Sequence, residues 1–213
     1  VSGDYYDFVP LDGGRLGLVL ADVSDKGMPA AVFMALTRST IRATVSQIPS
    51  PAEAIAEANR LIYADSADGM FVTLFYAVLD PMSGGLTYVN AGHNPPLLCR
   101  AGGKGEMEHL EELRPTGMAL GITDGFPFEQ RTLELQPGDS ILLYTDGVPD
   151  ASNEGQEQFG MERLRRVLLE QQAEPVSGMV AALEGAIAEL TGGATQFDDI
   201  AILAVKRLVP APP

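Results

Sequence analysis

Carboxylates stand at the edges of four apolar segments. Ile141 to Tyr144 reads as a buried strand, and it ends in Thr145, Asp146 and Gly147. Leu16 to Ala21 is apolar and runs into Asp22. Asp198 and Asp199 directly precede the apolar segment from Ile200 to Val205, and Asp4 stands beside Tyr5 and Tyr6. A lone carboxylate at the margin of a core is costly unless something neutralises it. Four segments repeating that cost point to a shared partner. Carboxylates with no His or Cys among them are hard oxygen donors, suited to Mg²⁺ or Mn²⁺ rather than Zn²⁺. Two such ions about 3.5–4 Å apart activate a water and clamp a phosphoryl group.

Other chemistries fit less well. A cysteine phosphatase needs an Arg six residues after its nucleophile, and six residues after Cys99 stands Gly105. A phosphate-binding P-loop around Gly103-Lys104 would need Gly where Leu98 stands and Ser or Thr where Gly105 stands. No G-x-S-x-G elbow occurs, and the acids are too dispersed for an EF-hand. Most Asp-Gly pairs are turns, and Asp139 and Asp150 read as turn residues. Asp7 and Asp25 read as solvated neighbours. His93, between Gly92 and the Pro95-Pro96 pair, reads first as a loop-shaping residue and second as a proton donor. Lys26 reads as an exposed loop lysine or a phosphate contact. Met28, Phe33 and Met34 read as core.

The elements that must place these acids come in blocks. Residues 4–9 and 15–21 read as strands around the turn Asp12-Gly13-Gly14. A helix follows over 29–47, with Pro29 in its first turn. Ser50-Pro51-Ala52-Glu53 is a capping box opening a second helix, whose Ile55, Ala58, Leu61 and Ile62 share a face. Strands over 70–80 and 86–92 flank Pro81 to Gly85, and strands over 129–135 and 140–145 flank Gln136 to Asp139. Helices over 160–172 and 175–191 and a strand over 200–206 complete the chain, the last helix stopping at Gly192-Gly193. Helix pairs between blocks of hairpin-linked strands predict an antiparallel α+β fold: two sheets face to face with a helix pair on each outer side.

The bulk numbers narrow the partners. The chain has 213 residues and 46% hydrophobic content, enough for a real core, with no internal repeat and no linker-length turn-rich stretch. One domain over 1–208 with a loose tail at 209–213 is expected. The net charge of −15 repels phosphate backbones and anionic lipids, so nucleic acid and membrane surfaces are poor partners, while cations are favoured. The single Cys99 rules out an internal disulfide framework and predicts a reducing, cytoplasmic setting. No apolar run approaches the ~20 residues of a membrane span. A chain opening on Val1 inside strand-like sequence reads as a domain cut from a longer protein.

Taken together, "SGDYYDF", "ADVSDKGMPAAVFM", "NAGHNPPLL", "LLYTDGVPDA" and "FDDIAIL" resemble, in order, the signatures of bacterial PPM-type phosphatases, in the branch of sporulation stage II protein E and the sigma-factor-B regulatory phosphatases. The resemblance spans Ser2 to Arg207. It implies a β-sandwich flanked by helix pairs, in α-β-β-α layers, and a metal-dependent serine/threonine phosphatase with two divalent cations, Mn²⁺ or Mg²⁺. By resemblance Asp22 bridges the two metals, Asp146 and Asp198 complete the first, and the Val23 carbonyl with Asp4 serves the second. Asp199, adjacent to Asp198, is the alternative ligand. Ser2 replaces a frequent Gly, and Lys26 stands near where other branches carry a His, so no general acid is assigned. The implied substrate is a small phosphorylated anti-sigma-factor antagonist. An upstream sensor or regulatory domain is the implied regulator. The almost continuous apolar run from Ala30 to Leu36 of helix 29–47 fits either a flank that meets an upstream helix or a second copy of the domain, or burial between the helix pair and the sheet. A catalytically silent interaction domain of the same fold is the alternative reading.

Overall fold

The computed structural model describes residues 3–66, 69–102, 109–194 and 198–209. Residues 210–213 of the expected tail and the Gly103-Lys104 pair lie outside the described residues. In chain order the first elements are β1 (Tyr5–Pro10), β2 (Leu16–Val23), α1 (Met28–Gln47), α2 (Pro51–Asp65), β3 (Val72–Leu79) and β4 (Gly85–Ala91). Then come β5 (Leu97–Cys99), β6 (Leu110–Glu112), β7 (Arg131–Glu134), β8 (Ser140–Tyr144), α3 (Gly147–Asp150), α4 (Gly160–Glu170), α5 (Val176–Thr191) and β9 (Ile202–Lys206). Two antiparallel sheets and five helices among the described residues make the mixed α+β fold the sequence predicts. The chain divides into two units, one of Val1–Pro95 with Arg114–Glu134, the other of Pro96–Leu113 with Leu135–Pro213. Among the described residues no helix is long and apolar enough to cross a membrane.

The first unit holds a five-stranded sheet in the order β1-β2-β3-β4-β7. Its helices form for local reasons. Pro29 sits in the first turn of α1, and the Ser50 hydroxyl accepts the Glu53 N–H at 3.4 Å to cap α2, with Pro51 at the first helical position. Phe33, Thr37, Ile41 and Thr44 recur every three to four residues along the buried stripe of α1; Ala54, Ile55, Ala58 and Ile62 do the same on α2. Of these residues, all the apolar ones belong to one cluster with Val19, Ala21 and Val23 of β2 and Val72, Leu74 and Tyr76 of β3. Those strand residues are alternate ones, so they occupy one face of the sheet. The intervening Leu18, Leu20 and Phe75 are buried on the other face.

The second unit holds a four-stranded sheet in the order β6-β5-β8-β9. Leu97 and Cys99 of β5 and Leu142 and Tyr144 of β8 cluster with Leu164 and Leu168 of α4 and Met179, Leu183 and Ile187 of α5. Gly192 ends α5 in the left-handed conformation that a glycine tolerates best, with φ of 58°. Strands β5 and β6, three residues each, and the short α3 were not anticipated.

Two sequence expectations need correction, and a third needs completing. Met28 is 69% exposed rather than core, because the register of α1 turns it outward at the first residue of the helix. Asp7 is not solvated: Arg42 Nη1 contacts its two oxygens at 2.8 and 2.7 Å, and the carboxylate is held against α1. Asp139 sits in a turn, as expected, but its carboxylate is buried. It accepts from the backbone N–H of Ala101 at 2.7 Å, the N–H of Gln136 at 2.9 Å and Arg100 Nη1 at 2.9 Å.

That last cluster generates a prediction. Asp139→Ala removes the acceptor of three donors, two of them backbone N–H groups, in part-buried contacts. Arg100 keeps its contact with Glu111 at 2.8 Å, so the loss sits near the lower end for a broken buried pair, about 3 kcal/mol. Urea unfolding should show this as a fall in midpoint at unchanged slope; a midpoint within error of wild type would show the pair to be dispensable. Cys99 is fully buried, and desolvation first, then the Asp139 charge, pushes its thiol up to about 11. Cys99→Ser should leave turnover unchanged.

Candidate active site

The parity of β2 decides where its acid goes. Val19, Ala21 and Val23 face the helices, so Asp22 takes the opposite face with Leu18 and Leu20. It lies within the strand, in register with Thr73 of β3, one residue further than the sequence boundary at Ala21. On β1, Tyr5 and Val9 belong to the helix-side cluster, and Asp7 binds α1. Asp4, directly before the strand, therefore continues the face of Tyr6 and Phe8. The pairing of Tyr5 with Ala21 brings Asp4 to the same end of the sheet as Asp22. Both acids are half-buried.

Gly3 completes this end. Its carbonyl accepts the Val23 N–H at 3.4 Å. A Cβ added to it would stand 3.0 Å from the Val23 carbonyl oxygen and 3.5 Å from Asp22 Oδ1. The glycine thus leaves open the space between two oxygens that the sequence reading assigns to metal. Beyond Val23, Ser24 is clamped to Phe71 by two bonds, N–H to carbonyl and N–H to hydroxyl, each 2.9 Å. The chain then turns through Asp25 and Gly27, with φ of 74° and 88°, straight into α1. Asp25 and Lys26 are exposed in this turn, as read from the sequence.

His93 takes the loop-shaping role. It is buried, its N–H donates to Asn90 Oδ1 at 2.8 Å, and its Nδ1 shares a 2.8 Å hydrogen bond with the Thr73 hydroxyl. It thereby braces the residue paired with Asp22.

The second unit builds its own group of acids at the end of the β8–β9 pair. The Thr145 N–H donates to the Ala201 carbonyl at 3.1 Å, and the Ala201 N–H donates to the Thr145 hydroxyl at 2.9 Å. This two-way tie brings Asp146 beside the segment of Asp198 and Asp199. Asp146 opens α3, yet its side chain makes no capping bond to that helix. The Asp199 N–H donates to Asp198 Oδ1 at 2.9 Å, which fixes the direction of the Asp198 carboxylate. A side chain at Gly147 would collide with the Asp199 carbonyl. Gly3, Gly147 and Thr145 are the residues that sequence reasoning missed. The signal was there in the Gly that precedes Asp4 and the Gly that follows Asp146, each of which reads as an ordinary turn until the neighbouring strand is known.

Among the described residues of either unit, no three His, Cys, Asp or Glu side chains gather as a ready-made metal group. The structure unites Asp4, Asp22 and Val23 in the first unit, and Asp146, Asp198 and Asp199 in the second. The donors are carboxylates and one carbonyl, and space is kept at glycine, so the residues present fit hard divalent cations in type.

Comparison with known proteins gives the family. The profile of Stage II sporulation protein E (SpoIIE) matches residues 12–208. Protein IcfG of Synechocystis sp. is 33% identical over 237 residues, covering 97% of this chain and 36% of its own. Phosphoserine phosphatase RsbU of Bacillus subtilis is 30% identical over 154 residues, covering 72% of this chain and 44% of its own. The chain thus spans less than half the length of these two relatives. Among solved structures, the RsbU and RsbW domains of a Mycobacterium tuberculosis protein match 100% of this chain and 57% of their own, with a TM-score of 0.81 at 28% identity. The SiaA-PP2C domain of Pseudomonas aeruginosa shares the fold, with a TM-score of 0.81 at 23% identity over 97% of this chain and 80% of its own. The fold is that of the PPM phosphatases. The chain belongs to the SpoIIE family of PP2C-type phosphatase domains.

The glycine beside Asp199 is open to test. Gly147→Ala must push the 198–199 segment away, an overpacking cost of about 1–3 kcal/mol. It should also abolish Mn²⁺ binding measured by titration calorimetry. Gly185→Ala is the control, since its added Cβ in α5 meets nothing within 4 Å. It should bind Mn²⁺ as wild type does. Equal binding by both variants would free the 198–199 segment from any metal role.

Proposed function

We propose that this chain is the catalytic domain of a metal-dependent protein serine/threonine phosphatase that acts on a small phosphorylated antagonist of an anti-sigma factor. The observation that carries this reading is the Gly3 cradle between the Asp22 carboxylate and the Val23 carbonyl, in a chain related to the phosphoserine phosphatase RsbU. Two cations, Mn²⁺ or Mg²⁺, are proposed. Asp22, the Val23 carbonyl and Asp4 would be the ligands from the first unit, the last two for the second cation; Asp146 and Asp198, with Asp199 the alternative to Asp198, would be the ligands from the second unit. Bound cations supply an acidified water and positive charge for the phosphoryl oxygens.

The chain's own residues do the rest. Strand pairing holds Asp4 and Asp22 at one sheet end, and the Thr145–Ala201 tie holds Asp146 beside Asp198. The net charge of −15 repels a phosphoprotein, so these carboxylates favour productive binding only when neutralised. No serine or cysteine nucleophile is needed, in keeping with the buried Cys99. The domain is proposed to work in the cytoplasm over residues 1–208, within a longer protein.

Hydrolysis of a phosphoserine peptide should require Mn²⁺ or Mg²⁺ and stop with EDTA. Asp22→Asn or Asp146→Asn should each lower turnover by at least about 100-fold. Without metal neither variant should melt lower than wild type, because the change relieves repulsion among carboxylates. Activity that survives complete chelation would end the metal-dependent reading. Mn²⁺ binding without turnover would favour a silent interaction domain.

Regulation is proposed to act through α1. Only Ser24 to Gly27 separate β2 from this helix, so its movement is felt at Val23. Met28, Val32 and Leu36 recur every four residues as an exposed apolar stripe, suited to an upstream regulatory segment or a second copy of the domain. In full-length protein under its activating signal, the Mn²⁺ concentration for half-maximal rate should fall below that of the isolated domain. A shared midpoint with different plateaus would place control at substrate docking instead.

A further inference from the structure

We infer that Asp7, gripped by Arg42 and Arg38 of α1, is a positioning residue for Asp4 and thereby sets the affinity of the second cation. The inference rests on the proposed metal-dependent reading. Strand β1 is an edge strand, paired with β2 alone. Its leading end, where Asp4 stands, is tied to β2 by the Val23-to-Gly3 bond, which at 3.4 Å is long. A strand paired on one side only is held more firmly by a further contact with the helix packed on its face.

Asp7 supplies it. Its side chain is only 11% exposed. Arg42 Nη1 lies 2.8 Å from Oδ1 and 2.7 Å from Oδ2, and Arg38 Nε lies 3.6 Å from Oδ2. A charge-assisted contact of this kind, mostly removed from water, holds more firmly than a surface ion pair. It ties this face of β1 to α1 through side chains. The Tyr5 and Thr37 hydroxyls, on β1 and on the buried stripe of α1, are both buried and make no hydrogen bond. Three residues of extended chain, about 10 Å, separate Asp7 from Asp4. Asp7 points to the helix and Asp4 to the other face, so Asp7 acts through the strand and touches no reacting atom.

The test measures Mn²⁺ binding directly, by calorimetry and by the Mn²⁺ paramagnetic signal, beside hydrolysis of a phosphoserine peptide. Asp7→Asn should weaken the weaker Mn²⁺ site about tenfold, the usual scale for outer-shell partners, while kcat at saturating Mn²⁺ stays within about twofold. Arg42→Ala should do the same, and Arg42→Lys should restore most of the affinity. In an Asp4→Asn background, Asp7→Asn should have no further effect on Mn²⁺ affinity, since the ligand it positions is gone. A purely structural role would lower the melting temperature of Asp7→Asn and leave its Mn²⁺ affinity unchanged. That result, or a tenfold loss that persists in the Asp4→Asn background, would overturn the inference while leaving the phosphatase reading intact. A wild-type domain that neither binds Mn²⁺ nor turns over would overturn both.

Discussion

The two-residue alternation of β2 governs the chemistry of the first unit. Val19, Ala21 and Val23 are drawn to one face by the apolar stripes of α1 and α2. That burial fixes the register, because a slip by one residue would turn every buried side chain to the wrong face. Asp22 is then forced to the other face as a geometric consequence of the packing around it. The carboxylate is costly where it stands, and it stands there because three neighbours gain more by being buried. An acid placed in this way is held by the core itself, with no need for a dedicated loop.

The same economy explains why the acids come from strand ends. A strand interior on a buried face has no room for a charge, and a long loop would not hold one still. The last residues of β2 are held by Gly3 and β3, and the residues just after β8 and just before β9 are held by the Thr145–Ala201 tie. Thr145 extends that anchoring past the end of β8 by using its hydroxyl as a backbone surrogate. Each group then needs a glycine where the chain passes closest, Gly3 in one unit and Gly147 in the other.

Much of this was legible in the sequence. The long hairpins announce themselves by alternating or apolar runs around turn residues. The helices announce themselves by period and by caps such as Ser50-Pro51. The acids were visible as charges interrupting apolar sequence, and the order of five motifs supplied the family. What was hidden depends on partners remote in sequence. Asp7 looks solvated because its partners Arg38 and Arg42 lie on another element. Asp139 looks like a plain turn until Arg100 and the Ala101 N–H converge on it. Strands β5 and β6 are three residues each, too short to carry a period, and exist because β8 gives β5 a neighbour. Met28 reads as apolar and therefore inner, yet the first residue of a helix covers little of what lies beneath.

The interleaving of the two units bears on how the chain is made. The first unit needs β7, which is synthesised only after β5 and β6 of the second unit. On the ribosome, β4 therefore emerges with its outer edge unpaired and waits for Arg131–Glu134. Strand β5 waits about as long for β8, and β9 comes close to the end of the chain. Neither unit can be released whole by a single cut, and neither can finish folding before its sibling has begun. Open strand edges during that wait are exposed to pairing with other nascent chains, a hazard that grows with the sequence distance between partners.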